Sequence, residues 1–332
     1  MAEMDVAIII VTYKSAQLTI DCLRSIVPQL ATPGLRIRCV VVDNASGDTP
    51  AIAQAIESEG WASWARLVTA ERNGGFAYGN NVGVRAVYEH GRPDYLHLLN
   101  PDTVLRPGAI EALVRFLEAN PKVGVAGGIF ENSDASEWAV AFRFPSLLGE
   151  VVQGLQWGAV TRLLERWQVP MQMGSAAQPV DWVAGASMMV RREVIDAIGG
   201  LDEGFFLYFE ETEFCFRVKA AGYGVWYVPQ SRVMHIAGQS TKVTERDAGP
   251  RRLPGYWFES RRRYYALTRN PGYAMLVDVV TVLSAWCGAV KRIALLRPPT
   301  DAPHFLRDLA SHSLIWPRNR RAEPRGGVVP RF

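Results

Sequence analysis

At 332 residues the chain is long enough to bury a large core, and its 48% hydrophobic and 21% charged residues are ordinary for a soluble globular protein. Its four cysteines are scattered with no CxxC pair, which argues against a disulfide framework or a structural zinc site and suits a reducing compartment. The net charge is only +3, but residues 242–332 hold 17 basic and 7 acidic side chains, so this segment is either a solvated tail or meets an anionic partner such as lipid headgroups, a diphosphate or nucleic acid.

The first half of the chain alternates short apolar runs with helical patterns. Strands are predicted over 5–12, 37–43, 65–70, 94–100 and 123–129, and helices over 16–30, 50–59, 76–90 and 108–120. This alternation is typical of βαβ units and predicts an α/β fold with a mainly parallel central sheet covered by helices on both faces. The first apolar run is too short for a secretory signal and is interpreted as a buried strand.

Polar residues cluster where three of these strands end. They are Thr12 with Tyr13, Asp43 with Asn44, and Asn100 with Asp102. Ligands of such sheets bind outside the carboxyl ends of the strands, so three polar ends at one edge predict a ligand crevice there. An ordinary turn would account for any one of them taken alone.

The pattern changes from about residue 138. An amphipathic helix is predicted over 147–167, a strand over 180–190, a turn rich in Gly and Phe over 199–209, and a helix over 210–220. Residues 273–290 are apolar with Asp278 near their middle, which favours a helix lying on a membrane or packed against the body over a spanning helix. Residues from Pro317 on are predicted to be disordered.

Asp102 is a candidate metal ligand, because a carboxylate at a strand end can hold a hard divalent cation against a diphosphate. Such a cation neutralises charge as a nucleoside diphosphate departs. Capping of a turn before Pro107 is the alternative. His235, after a later strand, could add an imidazole ligand, although a lone histidine there is usually structural.

Three further stretches could carry chemistry. Asp43 could accept a hydrogen bond from a base or a ribose, although its turn needs no ligand. The Gly-rich loop from Asn73 allows close backbone approach, but it matches neither GxGxxG nor a P-loop. Glu210 and Glu211 open a helix after an aromatic run, so they are either helix-capping acids or desolvated bases able to take a proton from an acceptor hydroxyl.

Taken in order, these stretches resemble the family 2 glycosyltransferases with the GT-A fold, and within them the rhamnosyltransferase branch that acts on polyprenyl-diphosphate-linked or other cell-surface glycans. The matching segments span about residues 5–265. They are 10–14 (IVTYK), 42–46 (VDNAS), 73–77 (NGGFA) with Asn80 and Asn81, 98–102 (LLNPD), 181–186 (DWVAGA), 199–203 (GGLDE) with 209–211 (FEE), and His235 with Gly238 and Ser240.

The resemblance implies a role for each matching position. Contacts to the base and ribose of the donor are implied for Thr12, Tyr13, Asp43 and Asn73. The DXD motif of the family falls on residues 100–102, and Asp102 and His235 would hold Mg²⁺ or Mn²⁺. Trp182 and Gly185 would line the sugar or acceptor site, and Glu211 would be the catalytic base.

Two positions depart from the family pattern. The first DXD position is Asn100 rather than Asp, so metal affinity would rest on Asp102 and on the diphosphate of the donor. The base is usually Asp in the family, whereas Glu211 stands here, and Glu210 stays open as the alternative base.

The sequence therefore predicts an inverting, metal-dependent glycosyltransferase. Its GT-A domain covers 1–240, a basic, aromatic and apolar helical extension for membrane or oligomer contact covers 241–316, and a disordered tail covers 317–332. The favoured donor is dTDP-L-rhamnose, with a UDP-sugar as the alternative, and the acceptor is a glycan or polyprenyl-diphosphate-linked hydroxyl. The expected location is the cytoplasmic face of the cell membrane, as a peripheral protein, with no nucleic-acid partner. Oligomeric state is left open.

Three alternative functions are kept. One is a galactofuranosyltransferase or another hexosyltransferase of the same family. A second is a non-catalytic sugar-nucleotide-binding or membrane scaffold protein, which the loss of the first DXD acid favours. A third is a nucleotide-dependent oxidoreductase on a doubly wound sheet, which lacks its glycine fingerprint here.

Overall fold

The computed structural model describes residues 3–132, 136–138, 140–236, 251–297, 302–322 and 327–332. The strands are β1 (Met4–Thr12), β2 (Leu35–Asp43), β3 (Ala65–Thr69), β4 (Tyr95–Leu99), β5 (Thr103–Leu105), β6 (Val123–Glu131), β7 (Glu137–Trp138), β8 (Ala141–Phe142), β9 (Gln178–Pro179), β10 (Trp182–Val183), β11 (Ser187–Arg191) and β12 (Gly224–His235). The helices are α1 (Ala16–Ile26), α2 (Thr49–Ser58), α3 (Gly75–Tyr88), α4 (Ala109–Ala119), α5 (Leu147–Leu155), α6 (Gly158–Leu163), α7 (Arg192–Ile198), α8 (Glu210–Ala220), α9 (Gly255–Thr268), α10 (Pro271–Ala294), α11 (Phe305–His312) and α12 (Pro317–Ala322).

The central sheet has the strand order β3-β2-β1-β4-β11-β6-β12-β5. Strands β1 to β4 run parallel to one another, β11 runs antiparallel to both β4 and β6, and β12 is parallel to β6. The apolar runs of β1, β2 and β6 are almost continuously buried, because helices pack on the sheet and leave neither face in water. The predicted α/β fold with a mainly parallel sheet is therefore confirmed.

The carboxyl ends of β1, β2, β4 and β12 lie at one edge of this sheet. Thr12 pairs with Asp43 across β1 and β2, and His235 at the end of β12 pairs with Thr103, which begins β5 just after the turn at residues 100–102. The start of the antiparallel strand β11 lies at the same edge, since Ser187 pairs with Leu99. Side chains from distant parts of the sequence are thereby brought to a single edge.

Two predicted elements differ from the structure. The helix predicted over 147–167 is broken into α5 and α6, because Gln156 adopts a left-handed φ of 50° and ends α5. The strand predicted over 180–190 is two short strands, β10 and β11, separated by the turn that carries Gly185. The first prediction failed because the end of α5 packs closely on Ser284 and Ala285 of α10, which periodicity along the chain does not reveal.

A layer of helices, α5, α9, α10 and α11, follows and packs beside the sheet. Its centre is a buried ion-pair network around Arg261 of α9. Arg261 donates to Asp278 of α10 at 2.6 Å and lies 3.1 Å from the carboxylate of Glu150 on α5. Thr281 and Tyr265 also donate to Glu150, at 2.9 and 2.8 Å. The network joins α5 to the consecutive helices α9 and α10, which lie far from it in the chain.

The C-terminal tail was predicted to be disordered, but its described residues are ordered. Residues 317–322 form α12, and residues 327–332 pack against the loop that follows α7. The carbonyl oxygen of Val328 accepts from Glu203 at 2.9 Å, that of Pro330 accepts from Gly200 at 3.1 Å, and the Phe332 ring packs edge-on against Tyr88. Backbone hydrogen bonds and one contact between two half-buried aromatic rings order this segment, although its composition resembles that of a flexible tail. The predicted domain boundary at 240 and 241 lies outside the described residues.

Candidate active site

The loop after β1 is held by its own polar side chains. The Thr12 hydroxyl is fully buried, lies 3.0 Å from that of Ser15 and accepts a hydrogen bond from Thr19 at 2.9 Å. Asp48, at the start of α2, accepts from the backbone of Ser15 at 2.7 Å. The neighbouring Tyr13 is exposed at the sheet edge. Of this predicted pair, Tyr13 has the side chain open to a ligand, and Thr12 shapes the loop.

Asp43 is buried at the end of β2, and its carboxylate accepts four hydrogen bonds from the following turn. Ser46 donates from its backbone and hydroxyl at 2.8 and 2.6 Å, and Thr49 does the same at 3.0 and 2.6 Å. Burial opposes ionisation, but these hydrogen bonds prevail and lower the pKa of Asp43 below its ordinary value. The carboxylate is thus engaged by its own turn, and its predicted contact with a donor base stays a prediction.

Asn73 is bridged to the end of β2 by Asn44. The amide of Asn44 donates to the Asn73 side chain and to the carbonyl of Gly75, both at 3.1 Å, while Asn73 also accepts from the backbone of Gly75. The buried Oδ1 of Asn44 has no hydrogen-bond partner among the described residues. An unpaired buried acceptor at a predicted donor site marks a position that a ligand could satisfy.

The start of α3 contacts the loop that precedes α8. The backbone N–H of Phe76 donates to the carbonyl of Phe206 at 2.9 Å. Gly75 has a φ of 83°, and any Cβ there would overlap the carbonyl group of Phe206. Glycine is therefore required at residue 75 both for its backbone conformation and for this close approach.

Asp102 and His235 are brought together as predicted for a shared metal. The Nε2 of His235 lies 3.3 Å from Oδ1 of Asp102, both side chains are largely buried, and the backbone of Ile236 donates to the carbonyl of Asp102 at 3.0 Å. One carboxylate and one imidazole are suitable protein ligands for a divalent cation, and Asp102 and His235 would hold it. The described residues contain no group of three His, Cys, Asp or Glu side chains suited to a metal. Gly238 and Ser240 of the same motif lie outside the described residues.

A short series of contacts connects the turn that carries Asp102 to Glu211. The backbone of Asn100 donates to the carbonyl of Ala186 at 2.9 Å. A Cβ at the adjacent Gly185 would lie 3.3 Å from the Phe76 ring and 3.6 Å from Cβ of Glu211. Gly185 thus lies between the turn at residues 100–102 and the start of α8, where a larger side chain would crowd Glu211.

Glu210 and Glu211 differ in what they face. Glu210 is buried beneath α8, whereas Glu211 is partly exposed and lines a large cavity. Burial raises the pKa of Glu211, although backbone N–H groups of Glu211, Gly185 and Thr212 partly offset the effect. Its Oε2 has no hydrogen-bond partner among the described residues. A carboxyl group with a raised pKa and one oxygen without a hydrogen-bond partner, at a cavity wall, is suited to accept a proton.

The cavity has a volume of about 1210 Å³ and lies between the sheet domain and the helical layer. Trp182 lines it, stacks on Phe142 with ring centroids 4.2 Å apart, and donates from its indole to the carbonyl of Arg143 at 2.9 Å. Tyr208 and Phe209, just before Glu211, also line it and have φ values of 71° and 68°. Two consecutive left-handed residues of this kind are costly and are typical of functional loops.

Sequence reasoning missed the pair that supports the Glu211 loop. Asp202 is fully buried and accepts two hydrogen bonds from Arg263 of α9, at 3.0 and 2.9 Å. It also accepts from the backbones of Gly204 and Val328. The available signal was the acid inside the segment 199–203 and the Arg run at 261–263. All three arginines are buried, and which of them reaches Asp202 depends on the packing of α9.

Comparisons with known proteins bear on the family of the chain. A family model described as glycosyltransferase like family 2 matches residues 3–249. The chain is 27% identical over 166 residues to the rhamnosyltransferase WbbL of Escherichia coli, covering 49% of this chain and 61% of that one. It is 30% identical over 151 residues to the N-acetylglucosaminyl-diphospho-decaprenol L-rhamnosyltransferase of Mycobacterium tuberculosis, covering 45% and 48%. The chain thus spans about half to three fifths of the length of these curated relatives.

Two solved structures share the fold. The mannosyltransferase PcManGT from Pyrobaculum calidifontis, in complex with GDP-Man and Mn²⁺, aligns with a TM-score of 0.54 at 16% identity, covering 96% of this chain and 82% of that one. GalNAc-T7 with UDP, GalNAc and Mn²⁺ aligns with a TM-score of 0.59 at 13% identity, covering 93% and 57%. The expected GT-A architecture is thereby confirmed.

Proposed function

Because the chain belongs to the family 2-like glycosyltransferases, whose model matches residues 3–249, we propose that it transfers a sugar from a nucleotide-diphosphate donor to an acceptor hydroxyl with inversion. One observation carries the proposal. Glu211, on the wall of the large cavity, is connected through Gly185 and Ala186 to the turn of Asn100 and Asp102. A proton acceptor and a candidate diphosphate site are therefore linked through two adjacent residues.

In this proposal Glu211 takes the proton of the acceptor hydroxyl while the hydroxyl oxygen attacks the anomeric carbon of the donor sugar. The raised pKa of its carboxyl makes it a stronger base than an ordinary glutamate. Trp182 and Gly185 border the sugar, and Tyr13 and Asn73 contact the base and ribose of the donor. When bound, a divalent cation held by Asp102 and His235 would neutralise the charge developing on the diphosphate.

We propose dTDP-L-rhamnose as donor and a lipid-linked diphosphate saccharide as acceptor. The support is the similarity to two proteins named as rhamnosyltransferases, one of which is named for a diphospho-decaprenol acceptor. The test is a screen of dTDP- and UDP-sugars for Mn²⁺-dependent release of the nucleotide. Release from UDP-galactofuranose alone would favour the galactofuranosyl alternative, and no release from any donor would favour a non-catalytic scaffold.

Asp102→Asn should weaken the binding of dTDP in the presence of Mn²⁺ by about tenfold or more, because it removes the anionic ligand of the cation. Isothermal titration calorimetry with Mn²⁺ and with EDTA measures this difference. Asp21→Asn, on the exposed face of α1, is the matched control and should bind as the wild type does. Equal affinity of the wild type with and without Mn²⁺ would remove the metal from the proposal.

We also propose that the protein docks on the cytoplasmic face of the cell membrane through α10. Within the described residues, this is the one helix whose length and mean hydropathy of 1.7 would suffice to cross a membrane. Its buried face packs on the body through Asp278, Thr281 and Ser284, which favours a surface position. Apolar residues recur on its exposed face every three or four positions, and they are Leu276, Val279, Leu283, Trp286, Val290 and Ile293.

Replacing both Leu283 and Trp286 with Ser should lower the affinity for anionic phospholipid vesicles by about tenfold or more, because these side chains are 58% and 60% exposed and would insert among the acyl chains. Vesicle co-sedimentation measures the effect. Val27→Ser removes an exposed apolar side chain outside α10 and should leave binding unchanged. If the double variant sediments as the wild type does, α10 is not the docking element.

A further inference from the structure

The cavity beside Glu211 is larger than a single sugar requires. Its volume of about 1210 Å³ exceeds the roughly 300–1,000 Å³ of ordinary small-molecule sites. Glu211 and Trp182 line it on the side of the sheet domain, and residues of α5, α6, α9, α10 and α11 line much of the rest. Most of the enclosing surface is apolar, including Val152, Trp257, Ala285 and Phe305. This composition fits a hydrocarbon chain better than a polar glycan.

Arg162 of α6 is the only Lys or Arg among the described residues that line the cavity. Its guanidinium makes no hydrogen bond or ion pair with any residue of the described ranges, whereas Arg261 nearby is fully paired with Glu150 and Asp278. Glu150 also lines the cavity, but its carboxylate is engaged by Arg261, Thr281 and Tyr265 and does not pair with Arg162. An unpaired arginine at an apolar cavity is suited to a phosphate or diphosphate group.

The cavity reaches the protein surface at the junction of α5 and α6. Gln156, Gly158 and Arg162 line the cavity and are exposed there. The end of α10 adjoins this opening, since Lys291 donates to the carbonyl of Gln156 at 2.9 Å and Arg292 donates to its side chain at 3.3 Å. The same end of α10 carries Val290 and Ile293 of the exposed apolar row, and Trp157 beside the opening is 43% exposed. Basic, aromatic and apolar side chains in this combination are typical of a membrane interface.

We propose that this cavity binds a lipid diphosphate, namely the isoprenoid-diphosphate part of the acceptor. The acceptor sugar lies at Glu211, the diphosphate lies at Arg162, and the hydrocarbon chain occupies the apolar wall and leaves between Gln156 and Gly158 toward the membrane. This inference rests on the proposed function for the identity of the sugar-bearing end. The binding of an isoprenoid diphosphate can be measured without turnover.

The experiment is a titration with farnesyl diphosphate, followed by tryptophan fluorescence in EDTA, which keeps the ligand from a metal-dependent donor site. A Cβ at Gly158 would meet no atom within 4 Å, so Gly158→Phe directs a ring into open space without disturbing the backbone. We expect Gly158→Phe and Arg162→Ala each to weaken binding by about tenfold or more, and the small-residue control Gly158→Ala to bind as the wild type does. Melting temperatures verify that each variant is folded.

Titrations with two partial ligands test the hydrocarbon chain and the diphosphate group separately. Farnesol and inorganic diphosphate should each bind much more weakly than farnesyl diphosphate, since each lacks one of the two contacts. Equal affinity of the wild type and Gly158→Phe for farnesyl diphosphate, or no saturable binding to the wild type, overturns the inference. Binding with the expected variant pattern but no turnover of any nucleotide sugar would refute the proposed function and leave the lipid-diphosphate site in place.

Discussion

Glu211→Gln should lower kcat for sugar transfer by about 10²–10⁴-fold while leaving the affinity for the nucleotide donor nearly unchanged. Glutamine keeps the size and position of the side chain, but it cannot accept a proton from the acceptor hydroxyl. Single-turnover transfer assays give the change in kcat, and calorimetry with dTDP gives the donor affinity. A loss of both together would indicate a structural role for Glu211.

The pH dependence of the wild type offers a second readout of the same residue. Glu211 acts only when ionised, and burial raises its pKa above the ordinary value of 4.5. The value of kcat/KM should therefore fall as the pH drops through that raised pKa, at a higher pH than for an ordinary glutamate. Glu210→Gln is the matched control, because its side chain is buried away from the cavity. Loss of transfer in Glu210→Gln with retention in Glu211→Gln would make Glu210 the base.

Arg261→Met should lower the free energy of unfolding by about 3–5 kcal/mol. The substitution leaves the carboxylates of Glu150 and Asp278 buried without their cation, and the cost of an uncompensated buried charge exceeds what the new apolar side chain regains. Urea denaturation followed by circular dichroism measures the change. Since the network joins α5, α9 and α10, the helical layer should loosen before the sheet.

Arg252→Met is the matched control for this prediction. Arg252 also makes two hydrogen bonds to a carboxylate, that of Asp308, both at 2.7 Å, but its side chain is 60% exposed. Water can solvate Asp308 when the arginine is lost, so only a small change in stability is expected. Equal losses in the two variants would show that burial of the Arg261 network does not determine its contribution.

The sheet and its helices could be predicted because their signals are local. Continuous apolar runs predict strands covered on both faces, and the acidic start of α8 with its apolar positions predicts a helix over 210–220, which the structure has at Glu210–Ala220. The break at Gln156 could not be predicted in this way. Gly154 there contacts Ser284 and Ala285, so the end of α5 depends on a helix more than a hundred residues further along the chain.

The same limit applies to the candidate site. Strand ends predicted that Thr12, Asp43 and Asp102 share one edge of the sheet, because parallel strands present their carboxyl ends together, whereas the role of Glu211 was implied by the family resemblance. They could not separate Glu210 from Glu211, since only the packing around α8 determines which carboxylate faces the cavity. Nor could they indicate that the side chains of Thr12 and Asp43 form hydrogen bonds within their own loops.

The hydrogen bond from Phe76 to the carbonyl of Phe206 couples the two halves of the crevice through main chain alone. Alanine scanning would overlook such a junction, since truncating either phenylalanine leaves the amide and the carbonyl intact. A substitution at Gly75 would break this hydrogen bond, because any other amino acid there would force the two segments apart. A single missense change at that codon would thus separate the donor side from the base side while every polar side chain of the crevice stays unaltered.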